Sequence, residues 1–163
     1  MGKCGTKWVT VSFLLMTGFK GSYRFTIDHK GRVNIPAKFR RSTASTSHDL
    51  YVITRGLEGC LFIYPAEEWE KVETKLQNLS FTQKSHRLFG RYLLSNACDA
   101  QLDRQGRIAI PQNLLDLAQI KKDVLIIGVL ERIEIWDPEV HQKYLDSAGK
   151  TYEEIAEEIY FRE

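Results

Sequence analysis

The stretch from Asp28 to Arg40 reads DHKGRVNIPAKFR, and the stretch from Asp103 to Leu115, 75 positions later, repeats its pattern as DRQGRIAIPQNLL. Both copies share the skeleton Asp-x-x-Gly-Arg, a branched residue, any residue, Ile-Pro and then, three residues after the proline, Phe or Leu. Self-similarity of this kind is typical of a duplicated structural unit. The sequence therefore predicts a fold built around two copies of one short element.

The residues before and within the first copy predict two strands joined by a tight reversal. Residues 23–27 alternate between apolar and polar, which is the period of a strand with one buried face. Gly31 supplies a backbone conformation that other residues reach only at a cost, so Asp28 and Arg32 face each other across a turn. A second strand and a short helix follow. The strand has its buried positions at Val33 and Ile35, the helix starts at Pro36, and Phe39 returns it to the core. The equivalent residues of the second copy are Ile108, Ile110, Pro111 and Leu114.

Two further hairpins and four helices are predicted outside the repeated stretch. The hairpins pair residues 50–54 with 61–64 and residues 124–130 with 133–136, and residues 41–49 read as a polar loop. The helices start at Pro65, at a capping box of Ser80 with Gln83, at Asp137-Pro138, and at a capping box of Thr151 with Glu154. Their apolar stripes, expected to be core or subunit contact, are Trp69, Val72, Leu76 and Leu79; Leu88, Phe89, Tyr92 and Leu93; and Tyr152, Ile155 and Ile159.

The first eighteen residues allow three interpretations. Lys3 and Lys7 before an apolar run resemble a short signal peptide, but the run is too short to span a membrane and no small-residue cleavage pattern follows it. Translation beginning at Met16 would make the preceding residues the product of an upstream start. Alternatively, the alternating segment at residues 8–13 forms an extra strand.

Composition and charge narrow the class of protein. With 43% apolar and 27% charged residues the chain is typical of a soluble globular protein. From residue 131 onward ten acidic residues outnumber four basic ones, which gives this part a net charge of −6. Since the net charge of the whole chain is +2, residues 1–130 carry a net charge of +8. Residues 20–41 alone hold seven Lys or Arg against one acid, Asp28. An anionic partner is expected there, although solvated surface cations are the simpler alternative.

Neither a cofactor nor a metal is expected, and the chain is not expected to be an enzyme. The three cysteines, Cys4, Cys60 and Cys98, are widely spaced, and the four histidines have no metal-ligand spacing. No phosphate-binding loop of the P-loop or dinucleotide type occurs. Cys60 and Cys98 are predicted to be small core residues, and a reducing cytoplasm fits best.

The paired D-x-x-G-R turns, each followed by a branched residue, Ile-Pro and a short helix, resemble the MraZ family of bacterial transcriptional regulators, over about residues 19–144. That family carries two AbrB-type swapped-hairpin DNA-binding units in one chain. The resemblance implies a mainly β fold with flanking helices, an AbrB/MraZ-like double-split (swapped-hairpin) β-barrel built from an internal duplication. Two interlocked units would supply eight strands and leave no sheet edge.

On this basis the chain divides into an N-terminal extension at 1–18, a first SpoVT-AbrB repeat at 22–69, a helical connector at 70–96, a second repeat at 97–140 and a C-terminal helical segment at 141–163. The resemblance also implies a function, namely sequence-specific regulation through repeated promoter elements upstream of the protein's own division and cell-wall gene cluster. Its partners would be double-stranded DNA and further copies of itself in a ring, at the nucleoid in the cytoplasm. A structural or protein-interaction ring without DNA binding is the alternative, and it offers no reason for the cations to gather at residues 20–41.

The resemblance places the DNA-binding element on Asp28, Arg32, Asp103 and Arg107. The carboxylates are expected to hold the turns together with Gly31 and Gly106, because a carboxylate repels phosphate. The expected DNA contacts are Lys30, Arg32, Lys38, Arg40, Arg41, Arg104 and Arg107. Because the second copy lacks equivalents of Lys38, Arg40 and Arg41, the first copy is expected to contribute more.

Overall fold

The computed structural model describes residues 18–41 and 49–161, and the interpretations of the N-terminal run and of the polar loop lie outside these ranges. The elements in chain order are β1 Phe19–Thr26, β2 Arg32–Asn34, α1 Ala37–Arg41, β3 Leu50–Arg55, β4 Leu61–Pro65, α2 Ala66–Gln77, α3 Lys84–Ser95, β5 Cys98–Gln101, β6 Arg107–Ala109, α4 Gln112–Leu117, β7 Asp123–Leu130, β8 Arg132–Trp136, α5 Pro138–Ser147 and α6 Tyr152–Tyr160. The prediction of a mainly β fold with flanking helices is confirmed, and the β3–β4 and β7–β8 hairpins and the four predicted helices are present. The strands on either side of the first glycine turn do not pair with each other as a hairpin would, because β1 pairs with β7 and β2 pairs with β6.

The strands form two antiparallel sheets. The larger sheet has the order β1-β7-β8-β4-β3-β5, and the smaller consists of β2 and β6. The expected closure without edges is therefore wrong, since β1 and β5 end the larger sheet. The reason is local: β2 and β6 are three residues long, and each is confined between the glycine turn and a proline that has no N–H to continue a ladder.

The two halves of the chain exchange strands. β1 pairs with β7 along its whole length, from Phe19 opposite Leu130 to Thr26 opposite Asp123. β5 from the second half pairs in turn with β3 from the first half, and β4 pairs with β8. Only the hairpins β3–β4 and β7–β8 pair within one half, so neither half has a complete sheet of its own.

The main core fills the space between the two sheets. Val33 and Ile108 lie opposite each other in the small sheet and are fully buried, as the alternation of the sequence predicted. Phe39 from α1 is 1% exposed and packs edge-to-face against Phe19 and Tyr23, at ring-centroid distances of 5.4 and 5.3 Å. The predicted return of the first short helix to the core is thus confirmed.

A second cluster lies on the other face of the large sheet, beneath the longer helices. Trp69 of α2 is buried against Tyr64, and the Thr54 hydroxyl donates to the backbone carbonyl of Leu93 in α3 at 2.7 Å. Cys60 belongs to this cluster, and burial raises the pKa of its thiol to about 12, as befits an unreactive core residue. The prediction that Cys60 is a core residue is confirmed.

Two of the three predicted helix starts with side-chain caps are confirmed. Asp137 accepts hydrogen bonds from the backbone N–H groups of the first turn of α5, and Thr151 forms a reciprocal capping box with Glu154. The predicted capping box of Ser80 is wrong, because α3 begins only at Lys84. The Ser80 hydroxyl is instead paired with the Thr82 hydroxyl at 2.7 Å.

Several apolar side chains predicted to be buried are exposed in the single chain. On α3 only Leu93 is buried, whereas Phe89 and Tyr92 are 48% and 52% exposed. On α6 none of the residues is buried, and Ile159 is 64% exposed. These two helices therefore present apolar surface that the described residues of one chain do not cover.

Candidate nucleic-acid interface

The carboxylate of Asp28 organises the first glycine turn. One of its oxygens accepts hydrogen bonds from the backbone N–H groups of Lys30 and Arg32, each at 2.9 Å, and the other accepts from Nε of Arg32 at 2.7 Å. Gly31 closes the turn at φ 72°, a conformation that residues with a Cβ adopt only under strain. All three of these hydrogen bonds lie inside the turn, as expected for a residue with an architectural role.

The second turn repeats this arrangement bond for bond. Asp103 accepts from the backbone N–H groups of Gln105 and Arg107 at 2.8 and 3.0 Å, and from Nε of Arg107 at 2.9 Å. Gly106 has φ 75°. In both turns the guanidinium is anchored through one edge, so the direction of the remaining N–H donors is set before any ligand arrives.

The two turns are bonded to each other across the small sheet. The N–H of Ile110 donates to the carbonyl of Gly31 at 2.9 Å, and the N–H of Ile35 donates to the carbonyl of Gly106 at 3.0 Å. In addition, the guanidinium of Arg107 lies 3.7 Å from the carboxylate of Asp28. The paired strands and their turns, residues 28–35 and 103–110, form one continuous surface, which we call the ribbon.

Each glycine is approached by a residue from the other half, and here the two turns differ. A Cβ on Gly106 would come within 2.5 to 2.9 Å of the guanidinium of Arg40, whereas a Cβ on Gly31 would meet the carbonyl of Ile110 at 2.9 Å and a methyl of Leu115 at 3.4 Å. Arg40 and Leu115 occupy equivalent positions of the two copies. Nε of Arg40 donates to the carbonyl of Ile35 at 3.1 Å. The cation of the first copy therefore lies against the second turn.

The predicted contact residues group around the ribbon as follows. Arg32 and Arg107 have half-buried side chains at 28% and 23% exposure, and Lys30 and Arg104 are exposed at the tips of the two turns. Lys38 is exposed on α1, the helix that Arg41 ends. The sequence interpretation missed Asn34 and Ala109, both exposed on the ribbon. Both follow a residue predicted to be buried, Val33 or Ile108, and the alternation of a strand therefore indicated that they are exposed.

The turn geometry lowers the pKa of both aspartates. The backbone N–H of Arg32 has the largest effect on the pKa of Asp28, and burial opposes it. Together with the side-chain bond of Arg32, the backbone N–H of Lys30 and the charge of Arg32, it lowers this pKa from 3.8 to about 2. The same set of bonds, led by the backbone N–H of Arg107, lowers the pKa of Asp103. Both carboxylates are therefore ionised at neutral pH and hold their arginines as ion pairs.

We expect this depressed pKa to appear in the acid stability of the protein. Because Asp28 has a lower pKa folded than unfolded, its contribution to stability is full above pH 3.8 and is lost as the pH falls toward about 2. Urea unfolding midpoints, measured across that interval, should fall less steeply for Asp28→Asn than for the unchanged protein. Asp99→Asn, which removes an exposed carboxylate from β5, is the control, and identical pH slopes for all three proteins would contradict the assignment.

Neither a metal-binding cluster nor a membrane-spanning helix is found in the part of the chain that the structure describes. Within residues 18–41 and 49–161, no three His, Cys, Asp or Glu side chains come together as a metal site would require. None of the helices described there is both long and apolar enough to cross a lipid bilayer.

Comparison with known proteins identifies the family of the chain. The family model described as MraZ protein, putative antitoxin-like, matches residues 19–92 and 93–160, so each match contains one glycine turn. A protein of Natranaerobius thermophilus named transcriptional regulator MraZ is 47% identical over 141 residues, which cover 86% of this chain and 96% of that protein. A protein of Halothermothrix orenii with the same name is 49% identical over 138 residues, covering 85% and 94% of the two chains. The chain belongs to the MraZ family.

Proposed function

We propose that this protein is a sequence-specific transcriptional regulator that binds double-stranded DNA through the ribbon. The observation that carries the proposal is the pair of anchored guanidiniums, Arg32 and Arg107, held at diagonally opposite corners of one two-stranded ribbon. The names of the relatives agree with it, since those proteins are called transcriptional regulators.

The chemistry of the arginines suits the backbone and bases of DNA. Asp28 occupies Nε of Arg32, and among the described residues no group bonds to its two terminal nitrogens. Donors arranged in a fixed fork match phosphate oxygens or the O6 and N7 atoms of guanine. The major groove of B-DNA admits a two-stranded ribbon, and the exposed lysine and arginine at the turn tips, Lys30 and Arg104, are then placed to meet the phosphates on either side.

The placement of charge favours this function over a scaffold without DNA binding. The ribbon and α1 carry Lys30, Arg32, Lys38, Arg40, Arg41, Arg104 and Arg107 against the two turn aspartates. The acidic surplus of the chain lies instead from residue 131 onward, mostly in β8, α5 and α6. A protein whose turns served only to stabilise the fold would have no need of this separation.

The type of fold, the regulated genes and the division of the chain are proposed from membership of the MraZ family. We propose that the fold is of the double-split, swapped-hairpin type, as a barrel that stays open at β1 and β5, and the exchange of strands between the halves supports this. The regulated genes are proposed to be the division and cell-wall cluster in which the protein is encoded, bound through repeated elements upstream, and the site of action is the nucleoid in the cytoplasm. The chain is proposed to consist of a first repeat at 22–69, a helical connector at 70–96, a second repeat at 97–140 and a C-terminal helical segment at 141–163.

Self-association into a ring is the second part of the proposal. A groove of about 910 Å³ lies between the tip of the β3–β4 hairpin and helices α2 and α3, with apolar walls that include Phe62, Val72, Leu76 and Phe89. The exposed face of α6 carries Tyr152, Ile155 and Ile159, the kind of side chains that such a groove accommodates.

Charge supports a second copy as the occupant of the groove. Four cations line it against three carboxylates, the cations being Arg55, Lys71, Lys75 and Arg132, whereas α6 contains four glutamates and no cation. Because the groove and α6 are different surfaces, their contact is head-to-tail, and a contact of this kind closes into a ring when the rotation between subunits permits.

A titration with DNA tests the proposed function. The pure protein should bind a duplex from its own upstream region more tightly than a shuffled duplex of the same composition. If each subunit neutralises two to four phosphates, the slope of log affinity against log salt is roughly −2 to −4 per engaged subunit. Equal affinity for both duplexes, or a slope near zero, would remove the proposal in favour of the scaffold.

A further inference from the structure

The outer face of the ribbon presents four side chains. In the small sheet Arg32 pairs with Ala109, and Asn34 pairs with Arg107. The pairs alternate with Val33 and Ile108, which are fully buried beneath them. Because successive residues of a strand point to opposite faces, all four of the remaining side chains lie on the side away from the core.

These four side chains follow the internal symmetry of the chain only in part. A shift of 75 positions relates Arg32 to Arg107 and Asn34 to Ala109. The arginines are thus repeated on the ribbon, at diagonally opposite corners, whereas the other diagonal carries an amide at one corner and a methyl group at the other. Asn34 and Ala109 are the point at which the outer face of β2 and β6 departs from two-fold symmetry.

Asn34 has no structural explanation within the chain. Asparagine is depleted in strands, because its amide competes with the backbone for hydrogen bonds. Its side chain is exposed, and no group within residues 18–41 or 49–161 bonds to its amide. A polar side chain that the fold does not use, opposite one anchored arginine and two residues from the other, has its donors and acceptor available to a ligand.

We infer that Asn34 is a specificity-determining residue, which selects an adenine in the bound DNA and distinguishes one end of the ribbon from the other. This inference rests on the proposed function. In the major groove the amide nitrogen of an asparagine donates to N7 of adenine while its oxygen accepts from the N6 amino group. At the equivalent corner Ala109 offers only a methyl group, which makes no hydrogen bond and suits the methyl of thymine.

The spacing of the side chains agrees with this role. Two residues along a strand are about 6.8 Å apart, which is close to the rise of two base pairs. Arg32 and Asn34 on one strand therefore meet bases about two steps apart, and so do Arg107 and Ala109 on the other. With unlike corners, the bound element is not a palindrome, so each subunit has one orientation on it.

Selection from randomised duplexes, carried out with the full chain, tests the inference. The unchanged protein should select an element with an adenine at one position that has no counterpart in the other half of the element. Asn34→Ala makes the two corners alike and should reduce discrimination at that position by roughly 5- to 150-fold. It should leave the salt slope unchanged, since no charge is lost. Ala109→Asn should add an adenine preference at the symmetry-related position and make the element palindromic.

The outcomes separate the inference from the function on which it rests. Asn78→Ala, the same change at the exposed end of α2, is the matched control and should leave the selected element unaltered. If Asn34→Ala selects the same element as the unchanged protein, Asn34 is not a specificity residue, although DNA binding stands. If the unchanged protein selects no element at all, the proposed function fails and the inference with it.

Discussion

Replacement of Arg32 or Arg107 with alanine is expected to weaken binding to a single DNA element by roughly 10- to 100-fold, and replacement of both to abolish specific binding. Each change removes a guanidinium whose direction the turn has already fixed, so the loss is larger than for a freely rotating surface cation. On an array of elements the losses multiply across the subunits engaged, because later contacts are intramolecular. Measured affinities for one and for several elements check both statements.

The structure changes the expected balance between the two turns. The charge pattern of the sequence favoured the first copy, but Arg40 lies against Gly106 of the second turn. The guanidinium of Arg107 also lies 3.7 Å from Asp28 of the first turn. We therefore expect Arg107→Ala to cost at least as much affinity as Arg32→Ala.

The control for these two variants is Arg91→Ala, which removes an equal charge from the exposed surface of α3. It should bind DNA as the unchanged protein does. Thermal unfolding should also be compared, since loss of an arginine leaves the turn aspartate without its side-chain partner. Normal affinity and an unaltered salt slope in the Arg32→Ala, Arg107→Ala double variant would make the turns purely architectural.

Introducing glutamate at Ile155 and Ile159 of α6 is expected to convert the proposed ring into monomers of 18.9 kDa. Both side chains are exposed in the single chain, at 39% and 64%, so the change should leave the subunit folded. In the proposed ring it would replace the side chains that pack on the apolar walls of the groove with carboxylates, and burial of these charges against apolar side chains costs several kcal/mol per interface. Light scattering at micromolar concentration measures the outcome.

Reversing the charges on both surfaces tests whether the groove and α6 contact each other. Changing Lys71 and Lys75 of the groove to glutamate should weaken assembly, and adding Glu153→Lys with Glu157→Lys on α6 should restore it in the same molecule. Rescue of this kind requires that the two surfaces meet. An assembly of unchanged size in the Ile155→Glu, Ile159→Glu variant would place the interface elsewhere.

Local sequence determined the elements of the fold and the interior of each turn. Asp28, Gly31 and Arg32 lie within five consecutive residues, so their bonds follow from the turn itself. The same holds for the buried alternation at Val33 and for the cap at Asp137. Patterns of this kind are local in the chain, which is why the residues predict them.

What the sequence left open are contacts between distant segments. Nothing near Arg40 in the chain indicates that its guanidinium lies against Gly106, since that contact depends on the pairing of β2 with β6. Closure of the barrel failed for a local reason instead, since the count of eight strands took no account of the prolines that end β2 and β6 after three residues. The Ser80 cap was wrong because a neighbouring hydroxyl, that of Thr82, competes for the same side chain.

The pairing of β1 with β7 has a consequence for the protein during its synthesis. Phe19 pairs with Leu130, 111 positions further along the chain, so β1 leaves the ribosome long before its partner exists. At about 5–20 residues per second this interval lasts roughly 5 to 20 s, a period in which an unpaired strand is prone to aggregate. Alternate positions of β1 are Lys20, Ser22, Arg24 and Thr26, all of them polar and exposed. Side chains that face water in the finished sheet thus also protect the nascent strand while it waits for β7.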